Sequence, residues 1–412
     1  MAGITVFTNA FLIDCTGKDP VDGAAVVVEG ERIKDVIRSG KVGPLKGRVD
    51  TINCKGKTLM PGLTDAHVHM CAVDANIPEQ HRNSPPSLVA AKAMRRIEQA
   101  LMQGFTTVRD AGGADYGFRE AVSSGLYPGP RLLVSGRPLS QTGGHADKRR
   151  RAEWIAPVEC CVGMVGIIAD GADEVRKAAR EQIRHDVDQI KIMASGGAMS
   201  PGDELDTTQY TVDEMKAAVE EANAVGKYVL AHAYSGAAIR NAVTAGVRCI
   251  EHGNLLDAAG AQAIKKAGAY LVPTMVTYEA IYREGKNYGI GDHQIQKINI
   301  AREKSVEGLT YAYRAGCKIG SGSDLLGDMQ SQRAVEFELK GQVMKLMEVL
   351  VSATRTNAEI FKMESDIGSI EPGKYADLLV LKGNPLKDLR LFQNGDNLLM
   401  IMKGGVAHKR TV

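Results

Sequence analysis

Two histidines two residues apart, His67 and His69 in PGLTDAHVHM (61–70), are the first residues of the chain whose type and spacing could do chemistry. On a β-strand, positions i and i+2 share a face, so the pair presents two imidazoles side by side, half of a metal site. On a helix the same spacing turns them to nearly opposite sides. The preceding Thr58, Leu59, Met60 and Leu63 suit a buried strand, and Pro61-Gly62 a kink at its entry. Further on, Lys191 (QIKIMASGG), His232 (VLAHAY), His252 (CIEHGN) and Asp324 (IGSGSD) each lie in or close a short apolar run. Imidazole nitrogen and carboxylate oxygen are suitable ligands for zinc and similar divalent ions, and hydrolytic sites keep one position open for water. In this reading His67, His69 and Asp324 hold one metal, and His232 and His252 a second. Two cations need an anionic bridge, and on the fourth strand the chain offers only Lys191. A neutral lysine amine can add carbon dioxide and become a carbamate, and burial beside cations lowers the amine's pKa toward that reactive form. The other reading of Lys191 is a free lysine that contacts substrate.

The elements that must position these groups follow a repeating text of helix, glycine and short apolar strand. Helical periodicity fits 86–103, Gly104 stops it, and 106–109 is a strand; 132–134 is another. A helix from about 171 to 185 leads into the strand 189–193. Helices at 211–225, 235–245, 257–267 and 292–315 then alternate with strands at 227–231, 248–250, 270–272 and 317–320. This is the alternation of a parallel α/β sheet. Eight such strands from Leu59 to Asp324 predict a (β/α)8 TIM-type barrel, in which catalytic groups come from the C-terminal strand ends. Helices follow over about 331–363. The flanking segments 1–57 and 366–412 share a β texture and are expected to pair into one small β-sandwich built from both ends of the chain, around a barrel domain of 58–365. The loops 73–86, 137–170 and 274–293 shape the substrate pocket; Tyr278, Tyr282 and Tyr288 in the last either line it or pack.

Composition narrows the function. A net charge of +2 over 412 residues gives no reason to expect nucleic acid or an anionic membrane as partner. No stretch has the apolar length of a membrane span, and the N-terminal residues lack the pattern of a secretory signal. The seven cysteines (15, 54, 71, 160, 161, 249 and 317) are odd in number and show no CxxC pairing, which favours a reducing, cytoplasmic compartment. Cys71, next to the histidine pair, has no neighbour that marks it as an activated thiolate.

HVH on the first strand, QIKIMASGG, AHAYSG, IEHGN, GSGSD and the tail IEPGKYADLLVL together resemble the amidohydrolase superfamily over essentially the whole chain. Within it the chain is similar to the binuclear prolidase- and arginine-carboxypeptidase-like branch, and to ochratoxin-hydrolysing amidohydrolases. The resemblance implies a metal shell of His67, His69, carboxylated Lys191, His232, His252 and Asp324, occupied by two divalent ions with zinc first among the candidates, and a homo-oligomeric assembly. It also gives His145, in QTGGH, the substrate carbonyl and oxyanion, and Tyr234 the substrate α-carboxylate. The basic run 148–151 either attracts an anionic substrate or is a solvated loop.

The reaction these assignments imply is hydrolysis of a dipeptide or an N-acyl or aryl-acyl L-amino acid, with ochratoxin A among the candidate substrates. A metal-bridging hydroxide attacks the amide carbonyl, and Asp324 carries the proton to the leaving nitrogen. Two rivals stand beside it: a mononuclear cyclic-amide hydrolase or deaminase of the imidazolonepropionase type, which needs no carbamate, and a non-catalytic scaffold, for which degenerate ligands are expected.

Overall fold

A computed structural model of the chain describes residues 3–154, 162–200 and 202–412; Cys160 and Cys161 lie outside them. Both ends of the chain contribute to one eight-stranded sheet. Its strands run in the order Val406–Arg410, Leu398–Lys403, Leu378–Lys382, Lys57–Pro61, Ile4–Leu12, Val21–Glu29 and Arg32–Ile37, with Val49–Asn53 also paired to Ile4–Leu12. The apolar run before the histidine pair, expected as one strand, is divided between two sheets. Lys57–Pro61 pairs antiparallel with Leu378–Lys382, and Leu63–Val68 begins the parallel part of the fold. Gly62 makes the switch because it passes against the next strand, where a Cβ would lie 2.2 Å from Thr106 Oγ1.

The parallel strands form two sheets. Leu63–Val68, Phe105–Asp110 and Arg131–Leu133 make the first. Ile167–Ile168, Leu139–Ser140, Ile190–Met193, Val229–Ser235, Cys249–Leu255, Tyr270–Val272 and Lys318–Ile319 make the second. Backbone hydrogen bonds join the two sheets at two places: Ala66 N–H donates to Ser321 C=O and Asp188 N–H to Val134 C=O, both at 2.8 Å. The intervening helices follow from sequence locally. Val212–Ala224, for example, starts at a Thr211–Glu214 capping box and buries Met215, Ala218, Val219 and Ala222 along one stripe.

Several boundaries differ from the sequence reading. The strands Val229–Ser235 and Cys249–Leu255 run past the expected 227–231 and 248–250, because their polar ends turn into a shared interior rather than solvent. The loop 274–293 contains the helix Met275–Glu284, and 73–86 the helix Ile77–Asn83. Among the described residues no helix is long and apolar enough to cross a membrane.

Candidate active site

His67, His69, His145, Lys191, His232, Tyr234, His252 and Asp324 all line one cavity of about 690 Å³. Every residue singled out for chemistry from sequence therefore reaches the same space. His67 Nε2 is 3.3 Å from His69 Nε2 and 3.5 Å from Asp324 Oδ1, and His69 Nε2 is 3.2 Å from the same oxygen. Four ligands at about 2.0–2.1 Å around zinc in a tetrahedron stand roughly 3.3 Å from one another. The three atoms therefore already have the spacing of one face of such a site. His252 continues the cluster, its ring centroid 4.9 Å from that of His67 and 4.5 Å from that of His232.

The hydrogen bonds behind the rings decide which nitrogen faces the cavity. A carbonyl only accepts, so His69 carries a proton on Nδ1 toward Gly112 O at 2.8 Å and leaves Nε2 a lone pair. His232 is held the other way, with Nε2 donating to Gly196 O at 3.0 Å and Nδ1 left open. His252 Nδ1 lies 2.8 Å from Thr274 Oγ1. His67 donates from Nδ1 to Glu251 Oε2 at 2.6 Å, and Glu251 in turn accepts from Arg109 Nη2 at 2.7 Å. This is the carboxylate backing that metal-binding histidines ordinarily have. The donor set of His67, His69 and Asp324 fits a metal.

Backbone conformation explains how consecutive residues reach one place. Adjacent strand residues ordinarily point to opposite faces. His252 has φ of +76°, which breaks the alternation, so Glu251 and His252 both approach His67. Asp324, at φ +53°, is the other site residue with this conformation, and its N–H is anchored on His67 C=O at 2.8 Å.

Burial holds the His67, His232 and His252 imidazoles well below their ordinary pKa, with Lys191 adding to the effect on His67 and His232 and the neighbouring histidines on His252. They are neutral, the form that binds metal. Burial also brings Lys191 down to about 8, against the pull of Glu251 and Asp324.

His145 stacks on His232 with ring centroids 4.3 Å apart. Its Nδ1 is 2.8 Å from Ser200 Oγ, whose hydroxyl donates to Asp203 Oδ1. With the Ser200 proton engaged on Asp203, His145 Nδ1–H is the donor to Ser200. In the neutral ring Nε2 is then a lone pair, and His145 donates to a carbonyl oxygen only as imidazolium, a form that burial, His232 and Lys148 oppose and that the Asp203 charge, reached through Ser200, favours. Gly197 admits the ring, since a Cβ there would lie 2.0 Å from His145 Nδ1. Lys297 fixes this loop by donating to Gly197 O, Ser200 O and Asp203 O at 2.7–2.8 Å. Tyr234 stacks on His252 with centroids 5.3 Å apart, and its hydroxyl accepts from Tyr278 at 2.8 Å. Sequence reading missed Glu251, Arg109, Ser200, Asp203 and Lys297. Only the first two carry a signal, as charged residues inside strands otherwise buried.

Comparison with known proteins agrees with this geometry. Residues 58–407 match the model of the amidohydrolase family. Ochratoxinase of Aspergillus niger is 28% identical over 99% of this chain and 87% of its own length, and its crystal structure superposes with a TM-score of 0.88. A prolidase solved with N-methylphosphonate-L-proline is 42% identical, covers 99% of this chain and 100% of its own, and gives a TM-score of 0.95. A Xaa-Pro dipeptidase with bound methionine is 28% identical over 98% of this chain and 100% of its own, with a TM-score of 0.89. This chain belongs to the amidohydrolase family and is an enzyme that hydrolyses amide bonds.

Proposed function

We propose that the chain is a binuclear metal-dependent hydrolase that removes an L-amino acid from dipeptides or N-acyl amino acids, aryl-acyl compounds such as ochratoxin A included. The observation that carries this reading is the spacing of 3.2–3.5 Å among His67 Nε2, His69 Nε2 and Asp324 Oδ1, with the imidazole lone pairs turned inward by Gly112 and Glu251. In this reading the two parallel sheets are one closed (β/α)8 barrel, for which the two bridging backbone hydrogen bonds speak. The terminal sheet folds over as a β-sandwich. Val26 and Val28 share a core with Met400 and Met402, although three strands separate theirs in the sheet order.

His67, His69 and Asp324 would hold one divalent ion and His232 and His252 a second, with Lys191, as a carbamate, supplying the anionic ligand between the two sets. Such ions, zinc first among the candidates, polarise a carbonyl and make hydroxide available at neutral pH. Asp324 accepts the proton of the attacking water at a carboxylate oxygen and delivers it to the leaving nitrogen. His145 donates from Nε2 as negative charge develops on the carbonyl oxygen, Asp203 offsetting the imidazolium through Ser200. Tyr234, which already receives the Tyr278 proton, points its own O–H at the carboxylate of the leaving amino acid. Ile77, Met164, Met199 and Ile281 give the cavity an apolar wall that receives the acyl group and excludes water.

The test is turnover of a panel of dipeptides and N-acyl amino acids, with ochratoxin A included, by the metal-loaded enzyme. Release of free amino acids supports the reading. Activity confined to cyclic amides or amidines, with about one metal per chain and an active Lys191→Ala variant, replaces it with the mononuclear alternative.

A further inference from the structure

The basic run 148–151 divides in the structure. Arg149 folds back on Asp147 at 2.5 Å, Arg150 pairs with Glu79, and Arg151 is exposed. Lys148 turns the other way and lines the cavity of the metal cluster. Its ammonium donates to His145 C=O at 2.7 Å, and among the described residues no carboxylate stands within ion-pair distance of it. Asp203 and Asp147 are the carboxylates whose charge it feels, Asp203 more strongly; Asp203 is already engaged by the Ser200 hydroxyl and by Gln209 Nε2 at 2.8 Å, and Asp147 by Arg149. An ammonium has three N–H donors, so two of them have no partner among the described residues. Asp324 is the only carboxylate among the described residues that line the cavity, and it belongs to the metal cluster. A half-buried ammonium beside the apolar side of the pocket, with no carboxylate paired to it among the described residues, draws its counterion from what enters the pocket.

We propose that Lys148 is a specificity-determining residue that binds a carboxylate of the substrate. The inference rests on amide hydrolysis at this site and adds to it a charge requirement on the substrate. Two carboxylates are chemically equivalent here, the α-carboxylate of the leaving residue and a side-chain carboxylate on the acyl residue. The apolar wall favours the first, because an acyl group seated among Ile77, Met199 and Ile281 is uncharged. Lys148 and Tyr234 then hold the same end of the substrate, and the enzyme prefers substrates with a free C-terminal carboxylate to their amides.

The experiment compares three substrates of the metal-loaded enzyme: L-alanyl-L-phenylalanine, L-alanyl-L-phenylalaninamide, and L-glutamyl-L-phenylalaninamide, whose only carboxylate is on the acyl residue. Each is measured with the wild type and with Lys148→Met, Lys148→Arg and Arg150→Ala. Losing one charge-assisted hydrogen bond raises KM by about 10- to 100-fold. That rise is expected for Lys148→Met on L-alanyl-L-phenylalanine, with kcat within about threefold of wild type, recovery in Lys148→Arg, and no change in Arg150→Ala. The neutral amide controls for any shift of the His145 loop, and its KM is unaffected. A loss confined to L-glutamyl-L-phenylalaninamide still makes Lys148 the carboxylate site and moves the carboxylate to the acyl side. Equal losses on charged and neutral substrates, or no loss on either carboxylate, overturn the proposal. Calorimetric titration with L-phenylalanine and L-phenylalaninamide reads binding without turnover. If no substrate is hydrolysed, the amide-hydrolysis reading fails, and preference for the carboxylate lost in Lys148→Met still decides the role of Lys148.

Discussion

Glu251 Oε2 lies 2.6 Å from His67 Nδ1 while its other oxygen receives Arg109 at 2.7 Å, and all three side chains are buried. The carboxylate therefore fixes the tautomer of a histidine of the candidate metal cluster and neutralises an interior guanidinium at once. Glu251→Gln breaks both functions. Metal affinity is expected to fall about 10- to 100-fold. Stability falls by about 3–5 kcal/mol because Arg109 stays charged and unpaired. Metal titration and denaturant unfolding of the metal-free variant measure the two effects separately.

His145 is placed by the absence of a side chain at Gly197 and by the Ser200–Asp203 pair. Ser200→Ala removes the route by which Asp203 balances the imidazolium. The expected result is a fall in kcat of about 10²-fold, the size typical of losing one donor to a developing oxyanion. Metal content and KM stay near wild type, measured by elemental analysis and steady-state kinetics. Gly197→Ala, which drives a methyl into the ring, is expected to lose at least as much.

Asp324 has two tasks in this account, one oxygen toward the metal-facing nitrogens of His67 and His69 and a carboxylate that moves a proton. Asparagine can still offer an oxygen ligand but cannot take the proton. Asp324→Asn is expected to keep bound metal and lose about 10²–10⁴-fold in kcat. Unchanged turnover excludes the proton-transfer role.

His81 gives a dependence on pH away from the metal cluster. Burial, then Lys148 and Arg82, hold its imidazole down at about 4, and its Nε2 has no hydrogen-bond partner among the described residues. The unfolded chain takes up a proton on this residue below about 6.5, whereas the folded chain does so only near 4. Acid therefore favours unfolding, and stability present above the unfolded value is lost as pH falls from about 6.5 toward 4. Urea unfolding of metal-free His81→Gln at pH 7 and pH 4.5 is expected to show a smaller drop than the wild type.

Much of the site was legible because its chemistry sits at repeating places. Short apolar strands between helices locate His67, Lys191, His232 and His252, and each of these side chains reaches the common cavity. The strand limits were less legible. Glu251 and Asn254 fall beyond the expected strand 248–250, yet both lie buried within Cys249–Leu255, where the left-handed residue His252 breaks the alternation of side chains. Thr58, Leu59, Met60 and Leu63 read as one buried strand with a kink at Pro61-Gly62; the sequence marks the kink but not that Gly62 transfers the chain between sheets. The Ser200–Asp203–Lys297 lock was beyond reach. It joins a loop to a helix about a hundred residues later through backbone carbonyls, which leave no mark in residue type.

The central claim is that six side chains from the ends of five strands cage two cations bridged by a modified Lys191. Its most direct measurement is anomalous diffraction at the zinc edge from crystals of the metal-loaded enzyme grown with bicarbonate. The account predicts two anomalous peaks, one among His67, His69 and Asp324 and one at His232 and His252, with electron density extending beyond Lys191 Nζ toward both. A single peak, or none, with Lys191 unmodified and turned away from the histidines, contradicts it.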